Sequence, residues 1–456
     1  MFFKIKKIHF IGIGGIGMSG IAEILIHKGF VISGSDMYAS DNTEHLSKLG
    51  AKIFIGHKIE NIDDVELVVY SSAVDLDSNP EITEAKKQNI PIIRRAEMLS
   101  ELSRLTYTIA IAGTHGKTTT TSILSLILIR AGIDPTAIVG GRLKDLGGTN
   151  ARLGNGEWTI VEADEYDRSF LQLTPTIALI NNIETEHLDI YSDFNDLLET
   201  FVKFANMTPF YGFIAAGDDC LGVKKALSNF RKKVITFGLN DDADYQAKNI
   251  HYSGFSSRCD IYEYGNLLGS ITLNVPGEHN IKNALGAVLI ARQFDIGFEL
   301  IESVVSEFHG AFRRFDIKGE KNGITIIDDY AHHPTEIKAT LKGTKNYINR
   351  RIIAVFQPHT YTRTKDFYKD FATAFNDADI VYMTDIYPAR EEPIEGITSQ
   401  IIIDEANKNG INHITLIPDK EKLHNLILKE LKSNDILITL GAGDIWKLGE
   451  QILNGL

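Results

Sequence analysis

Short apolar runs, separated by amphipathic stretches and glycine-rich turns, recur along the whole chain. Lys7–Ile13, Phe30–Ser33, Val65–Ser71 and Pro91–Arg94 read as strands, and Met18–His27 as a helix between the first two. Further on, the β-branched run Thr108–Ala112 precedes a long apolar helix, Thr118–Ala131, which Gly132 ends. Thr159–Ala163 and Ile177–Asn181 are bounded apolar runs of buried-strand length. From Tyr211 to Val275 the pattern is richer in strands, with turns at Gly217-Asp218 and Gly265-Asn266. Beyond residue 314, strands at Ile324–Ile327, Ile352–Phe356, Ile380–Thr384 and Ile436–Leu440 alternate with helices such as Lys365–Phe375 and Lys420–Leu431. Alternation of this kind predicts an α/β fold with mostly parallel sheets. At 456 residues the chain has room for three domains, and the pattern divides it at 1–106, 107–313 and 314–456.

Composition changes this picture little. Hydrophobic residues are 43% and charged residues 23%, ordinary for packed globular domains. A net charge of -13 argues against nucleic-acid binding, which needs a basic surface, and against anionic membranes. The two cysteines, Cys220 and Cys259, form no CxxC pair and read as small buried hydrophobes of a reducing compartment. Lys4, Lys6 and Lys7 before an apolar stretch mimic a signal peptide. Five glycines and Glu23 within that stretch favour a strand, turn and helix, so the expected location is the cytoplasm.

Two loops carry chemistry. Gly12-x-Gly14-x-x-Gly17, with Gly15 inside it, lies between a strand and a helix, and Asp36 follows 19 residues after Gly17. Glycines there permit close backbone approach to a diphosphate, and an acid at Asp36 suits ribose hydroxyls. The second loop is Gly113-Thr114-His115-Gly116-Lys117-Thr118-Thr119, again between strand and helix. Backbone N–H groups can cradle phosphates, Lys117 can reach the β- and γ-phosphates, and the Thr118 hydroxyl can ligate Mg²⁺. Ile111 stands where the usual pattern has its first glycine, so the loop is a shortened variant. Acids cluster at Glu162, Asp164, Glu165 and Asp167, at the end of a predicted strand, where a metal-holding carboxylate is needed. His187 by itself reads as a surface histidine, since Mg²⁺ prefers oxygen.

Taken in order, HFIGIGGIGMSGIAEIL (His9–Leu25), YSSAV (Tyr70–Val74), NPEI, GTHGKTTTT, VEADEYDRSFL, EHLDIY, PGEHNIKNALGA, GAFRRFD, DDYAHHPTE, FQPHTYTRT and LGAGDIW span nearly the whole chain. The set resembles the Mur ligase family of peptidoglycan synthesis. The resemblance implies a Rossmann-like N-terminal domain for a UDP-sugar, a P-loop ATPase-type central domain, and a Rossmann-like C-terminal domain for the amino acid. It implies Gly12, Gly14, Gly15, Gly17, Asp36, Ser71 and Ser72 at the UDP-sugar, and Thr118, Glu162 and His187 at the metal. Asn280 and Asn283 fall where the family contacts adenine, Arg314 where it contacts phosphates, and Asp329 near the ribose. His332, His333 and Arg363 fall near the incoming amino acid. Lys117, His187, Arg314 and His333 are the implied catalytic residues. Two features depart from the pattern: Thr360 stands where arginine is common, and Lys203 reads as a surface lysine rather than a carbamylated metal neighbour.

The reaction so implied uses ATP and Mg²⁺ to join L-alanine to the lactyl carboxylate of UDP-N-acetylmuramate through an acyl phosphate. A monomer or weak homodimer is expected. Two rival readings remain. One is an NAD-dependent oxidoreductase, on Gly12–Gly17 and Asp36; the Gly113–Thr119 loop weighs against it, because hydride transfer needs no triphosphate site. The other is a nucleotide sensor without turnover, against which stand His332, His333 and Arg363.

Overall fold

The computed structural model describes residues 5–71, 73–104, 106–143, 148–186, 190–347, 350–389 and 391–456. Ser72 and His187, both expected in sites, lie outside them.

Among the described residues the strands form three sheets. The first contains β1 (Lys7–Ile11), β2 (Val31–Asp36), β3 (Lys52–Ile55), β4 (Leu67–Tyr70) and β5 (Ile92–Arg94). Its order is β3-β2-β1-β4-β5, and every pairing is parallel. The chain therefore reverses direction of winding at β1, so the loop after β1 opens at a topological switch point. Three helices of this region matter below: α1 (Ile16–His27), α2 (Asp41–Lys48) and α3 (Pro80–Lys87).

The second sheet runs β15-β14-β13-β12-β11-β10-β6-β9-β7-β8. Its strands are β6 (Tyr107–Ala112), β7 (Thr136–Leu143), β8 (Thr149–Arg152), β9 (Trp158–Glu162), β10 (Ile177–Ile180), β11 (Phe213–Gly217), β12 (Val234–Gly238), β13 (Tyr245–Ser253), β14 (Ser256–Glu263) and β15 (Asn266–Leu273). β6 lies between β9 and β10, parallel to both, and its Thr108–Ala112 run is fully buried. Burial on both faces is why that run is continuously apolar rather than alternating. Between the first and second sheets come α4 (Arg95–Ser103), and after β6 comes α5 (Lys117–Arg130). α5 is buried on nearly every side, and Gly132 in the left-handed region (φ 78°) closes it. The turn expected at Gly217-Asp218 follows β11 and leads into a helix, Leu221–Leu227, and the turn expected at Gly265-Asn266 lies one residue earlier, at Tyr264-Gly265 between β14 and β15.

The third sheet has β16 (Asp316–Lys321), β17 (Ile324–Asp329), β18 (Arg351–Phe356), β19 (Ile380–Met383), β20 (Ile414–Leu416) and β21 (Asp435–Leu440), in the order β16-β17-β21-β18-β19-β20. All pairings are parallel except β16 with β17. The helix expected from Lys365 starts earlier, at Tyr361, because the Thr360 hydroxyl accepts from the Arg363 N–H and caps it.

The fold is thus a three-domain α/β architecture. By contact the chain makes two compact units. One holds 1–247, 261–269 and 282–304, and the other holds 248–260, 270–281 and 305–456. In the first unit a contiguous apolar cluster runs from Ile8 and Phe10 through Ala110 and Val161 to Ile214, so the first two sheets share a core.

Candidate functional site

The first glycine loop is tied to its own domain. Gly12 (φ 82°) donates to the Ser35 carbonyl at 2.8 Å. A Cβ on Gly12 would sit 3.2 Å from Ser71 Cβ, so Ser71 packs directly on the loop. The Gly14 N–H donates to Asp36 Oδ2 at 2.8 Å. Asp36, expected at the ribose, thus has one oxygen committed to the loop backbone. A Cβ at Gly14 would meet that oxygen at 2.9 Å and Ser40 Oγ at 3.0 Å, so any larger residue here displaces those side chains even without a ligand. Gly15 differs: its Cβ would find only ordinary contacts, the nearest at 3.5 Å. Gly17 is covered by a side chain the sequence reading passed over, Arg95, whose Nη1 lies 2.2 Å from the Cβ position and whose Nη2 reaches Asp164 at 3.4 Å. Below the loop, the NPEI motif has a structural role. Asn79 caps α3, and the buried Glu81 accepts from Ser35 Oγ and Asn61 Nδ2, each at 2.6 Å.

In the second loop, Gly113 (φ 141°) and Gly116 (φ 83°) hold conformations that L side chains rarely adopt. The loop is braced by the segment that follows β10. The His115 N–H donates to Asn182 Oδ1 at 2.8 Å, and the Glu184 N–H donates to Thr114 Oγ1 at 2.9 Å. Asn283 closes on Gly116, with its Oδ1 2.1 Å from the Cβ position. Lys117 Nζ donates to the Gly113 carbonyl at 2.6 Å and to Glu165 Oε2 at 2.7 Å. Burial would lower the Lys117 pKa, but Glu165, Asp164 and Glu186 outweigh it and raise the pKa above the ordinary lysine range. The ammonium is therefore charged at every physiological pH. Thr118 Oγ1 donates to Glu162 Oε2 at 3.2 Å, and Glu162 Oε1 accepts from the Gly140 N–H. A hydroxyl and a carboxylate side by side are hard oxygen donors and fit Mg²⁺. Among the described residues no three His, Cys, Asp or Glu side chains converge to hold a metal on their own.

In the second unit, Arg313 and Arg314 diverge. Arg313 donates to Asp328 Oδ2 at 3.0 Å and to the carbonyls of Gly441 (2.6 Å) and Gly443 (3.0 Å), locking the LGAGDIW loop. Arg314 makes a 3.4 Å contact with Glu336 and lies over the Tyr330 ring, as Arg313 does. Asp329 accepts from Thr340 Oγ1 at 2.8 Å and from the Ala331 N–H at 3.0 Å, and its burial pushes its pKa up to about 6. The two histidines of the DDYAHHPTE motif separate. The His332 ring points its Nδ1 at the Tyr330 carbonyl, 3.0 Å away, which makes Nδ1 the N–H and Nε2 the lone pair. Burial, with Arg363 and His359 nearby, lowers its pKa well below the usual value, against the pull of Glu336. His333 instead caps the helix Pro334–Tyr347: its Nδ1 accepts from the Thr335 N–H at 3.3 Å and its ring packs edge-on to Phe367. Arg363 lies 3.3 Å from His359 Nδ1, and the His359 ring stacks on Tyr387. His332, His359 and Arg363 thus lie side by side. Asn280 spends its amide on the Pro276 carbonyl at 2.7 Å.

Sequence comparison places this architecture. Family models match in succession over the chain: "Mur ligase family, catalytic domain" at residues 7–107, "Mur ligase middle domain" at 111–291 and "Mur ligase, glutamate ligase domain" at 313–443. The chain belongs to the Mur ligase family. It is 50% identical over 454 residues to a UDP-N-acetylmuramate–L-alanine ligase from Geobacter sp. (strain M21), covering 99% of this chain and 98% of that protein. It is 49% identical over 456 residues to the ligase of the same name from Geotalea daltonii, covering 100% and 99%. The crystal structure of UDP-N-acetylmuramate-alanine ligase from Thermotoga maritima superimposes with a TM-score of 0.85 at 29% identity, covering 98% of both chains.

Membership in this family of ATP-dependent ligases sets aside the oxidoreductase and non-catalytic readings. The Mur ligase fold also explains the departures noted in the sequence. Thr360 adopts φ 66°, rare for a β-branched residue, and serves as a helix cap rather than a charge. Lys203 is exposed on the helix Phe194–Asn206. Cys259 is buried, with its thiol pushed up to about 12, whereas Cys220 is only half-buried, its sulfur 3.3 Å from the Ile183 carbonyl. No described helix is long and apolar enough to cross a membrane.

Proposed function

We propose that this Mur ligase joins L-alanine to the lactyl carboxylate of UDP-N-acetylmuramate in the cytoplasm, with ATP and Mg²⁺. The domains divide the work at 1–106 for the UDP-sugar, 107–313 for ATP and 314–456 for the amino acid. The observation that carries the reading is the end-to-end identity of 50% with a ligase named for those two substrates, in a chain whose Lys117, Thr118 and Glu162 form a triphosphate-type loop.

A carboxylate is a poor acceptor for an amine. Transfer of the γ-phosphoryl group from ATP to it makes an acyl phosphate, from which the alanine amine displaces inorganic phosphate. Lys117 neutralises charge on the β- and γ-phosphates, and Arg314 serves the same end. Thr118 and Glu162, with His187, are the residues to hold Mg²⁺, which supplies charge neutralisation. Asn280, Asn283 and Asp329 serve the nucleoside of ATP, and Gly12, Gly14, Gly15, Gly17, Asp36, Ser71 and Ser72 the UDP-sugar. Arg363 is the carboxylate partner for alanine. The tautomer of His332 favours it over His333 as acceptor for the amine's proton, since its Nε2 carries the lone pair. A phosphate-release assay with UDP-N-acetylmuramate, ATP and a panel of amino acids tests the reading. L-alanine is expected to give the highest kcat/KM; a preference for an acidic or dibasic amino acid would defeat it.

A further inference from the structure

One peptide group stands between the two glycine-loop sites. The peptide joining Val139 to Gly140 in β7 has its N–H donated to Glu162 Oε1, whose other oxygen accepts from Thr118. Its carbonyl, on the opposite side, lies 3.5 Å from Asn150 Nδ2 in β8. The same Asn150 amide donates at 2.6 Å to the carbonyl of Ile16, the first residue of α1, directly after the Gly12–Gly15 turn. Asn150 is buried, 4% exposed. Two glycines make the approach possible. A Cβ on Gly20 would lie 2.7 Å from Asn150 Nδ2, and one on Gly140 would lie 2.4 Å from Glu162 Oε2. Beside it, Thr149 Oγ1 donates to Glu23 of α1 at 3.2 Å, which fixes the same strand to the same helix.

We propose that Asn150 is a positioning residue that couples occupancy of the first glycine loop to the orientation of the Glu162 carboxylate. A trans peptide is rigid, so its two polar groups move together. Any shift of α1 on binding a diphosphate displaces the Ile16 carbonyl. That displacement passes through the Asn150 amide to the Val139–Gly140 plane and to Glu162. The inference rests on the reading that the first loop takes a UDP-sugar and that Thr118 and Glu162 serve Mg²⁺ and ATP.

Calorimetry on the full chain tests it, with Mg·ADP as the probe, alone and in saturating UDP-N-acetylmuramate. In the unmodified protein the UDP-sugar is expected to change the Mg·ADP Kd by about 5-fold or more. In Asn150→Leu, which keeps the shape and loses the donor without adding charge, that ratio is expected to fall to about 1, while each ligand alone keeps its affinity within about 2-fold. Gly20→Ala reaches the same amide from α1 and is expected to lower the ratio as well. Asn150→Gln, which retains the donor, is expected to restore part of it. A purely structural role would instead lower the melting temperature and both separate affinities, leaving the ratio intact. A ratio of 1 in the unmodified protein, or an unchanged ratio in Asn150→Leu, overturns the coupling. Failure of UDP-N-acetylmuramate to bind the unmodified protein at all would instead defeat the substrate reading.

Discussion

Lys117 and the Asp329–His332–His359 group are both ionisable clusters largely withdrawn from water, and they resolve that desolvation in opposite ways. At Lys117, desolvation opposes the charge, yet Glu165 at 2.7 Å, supported by Asp164 and Glu186, wins and holds the ammonium charged. At Asp329, desolvation wins over Arg314 and the Thr340 hydrogen bond, and the carboxyl titrates near 6. Burial likewise pulls His359 down to about 4 and His332 lower than its usual value. The difference follows from the partners. An opposite charge at hydrogen-bond distance offsets desolvation, whereas hydroxyls, backbone N–H groups and a neighbouring arginine do so only in part, or for histidine work against charge. Lys117 stays a permanent cation, whereas burial keeps His332 and His359 neutral near pH 7.

Removing the cation should give the largest effect. Lys117→Ala is expected to lower kcat by about 10²- to 10³-fold, the usual loss for a preorganised electrostatic stabiliser, with circular dichroism unchanged. Near-normal turnover would remove Lys117 from the chemistry and dissolve the contrast.

Asp329→Asn probes the opposite case. The folded pKa, about 6, lies above the ordinary value of 3.8, so the fold favours the protonated form. The wild type is then penalised progressively as pH rises from about 4 through about 6, and fully above it, by at most about 3 kcal/mol. Asparagine carries no such penalty. Urea unfolding should find the two proteins equally stable near pH 4 and the variant more stable at pH 7.5. A variant less stable at both pH values would mean that the Asp329 charge is welcome in the fold.

Glu165→Gln converts the first region towards the second. Without its nearest counter-ion, Lys117 is left to desolvation, and its pKa should fall. Any alkaline decline of Mg·ADP affinity is expected to set in at lower pH than in the unmodified protein. An unmoved alkaline limb would show that Asp164 and Glu186 suffice.

The smallest signal is spectroscopic. Because the pKa values of His332 and His359 are depressed, their imidazole resonances should not titrate between pH 5.5 and 8, whereas a solvated histidine shifts across that range. A midpoint near 6.5 for His332 would return it to the ordinary class and weaken its preference over His333.

Much of this protein was determined by local sequence alone. Strand, glycine turn and helix follow one another at both loops because apolar runs of that length bury both faces, and because Gly12, Gly113 and Gly116 adopt conformations open to few other residues. The ordered set of motifs was enough to indicate the family. Tertiary structure decided what depends on residues far apart in the chain. Asp36 bonds Gly14, Arg95 covers Gly17, Arg313 rather than Arg314 locks the Gly441–Gly443 loop, and His333 turns its Nδ1 to the Thr335 N–H. Periodicity records which face of an element is apolar. It does not record which polar group from another strand or helix arrives there, and that arrival sets each side chain's hydrogen bonds, its desolvation and its charge.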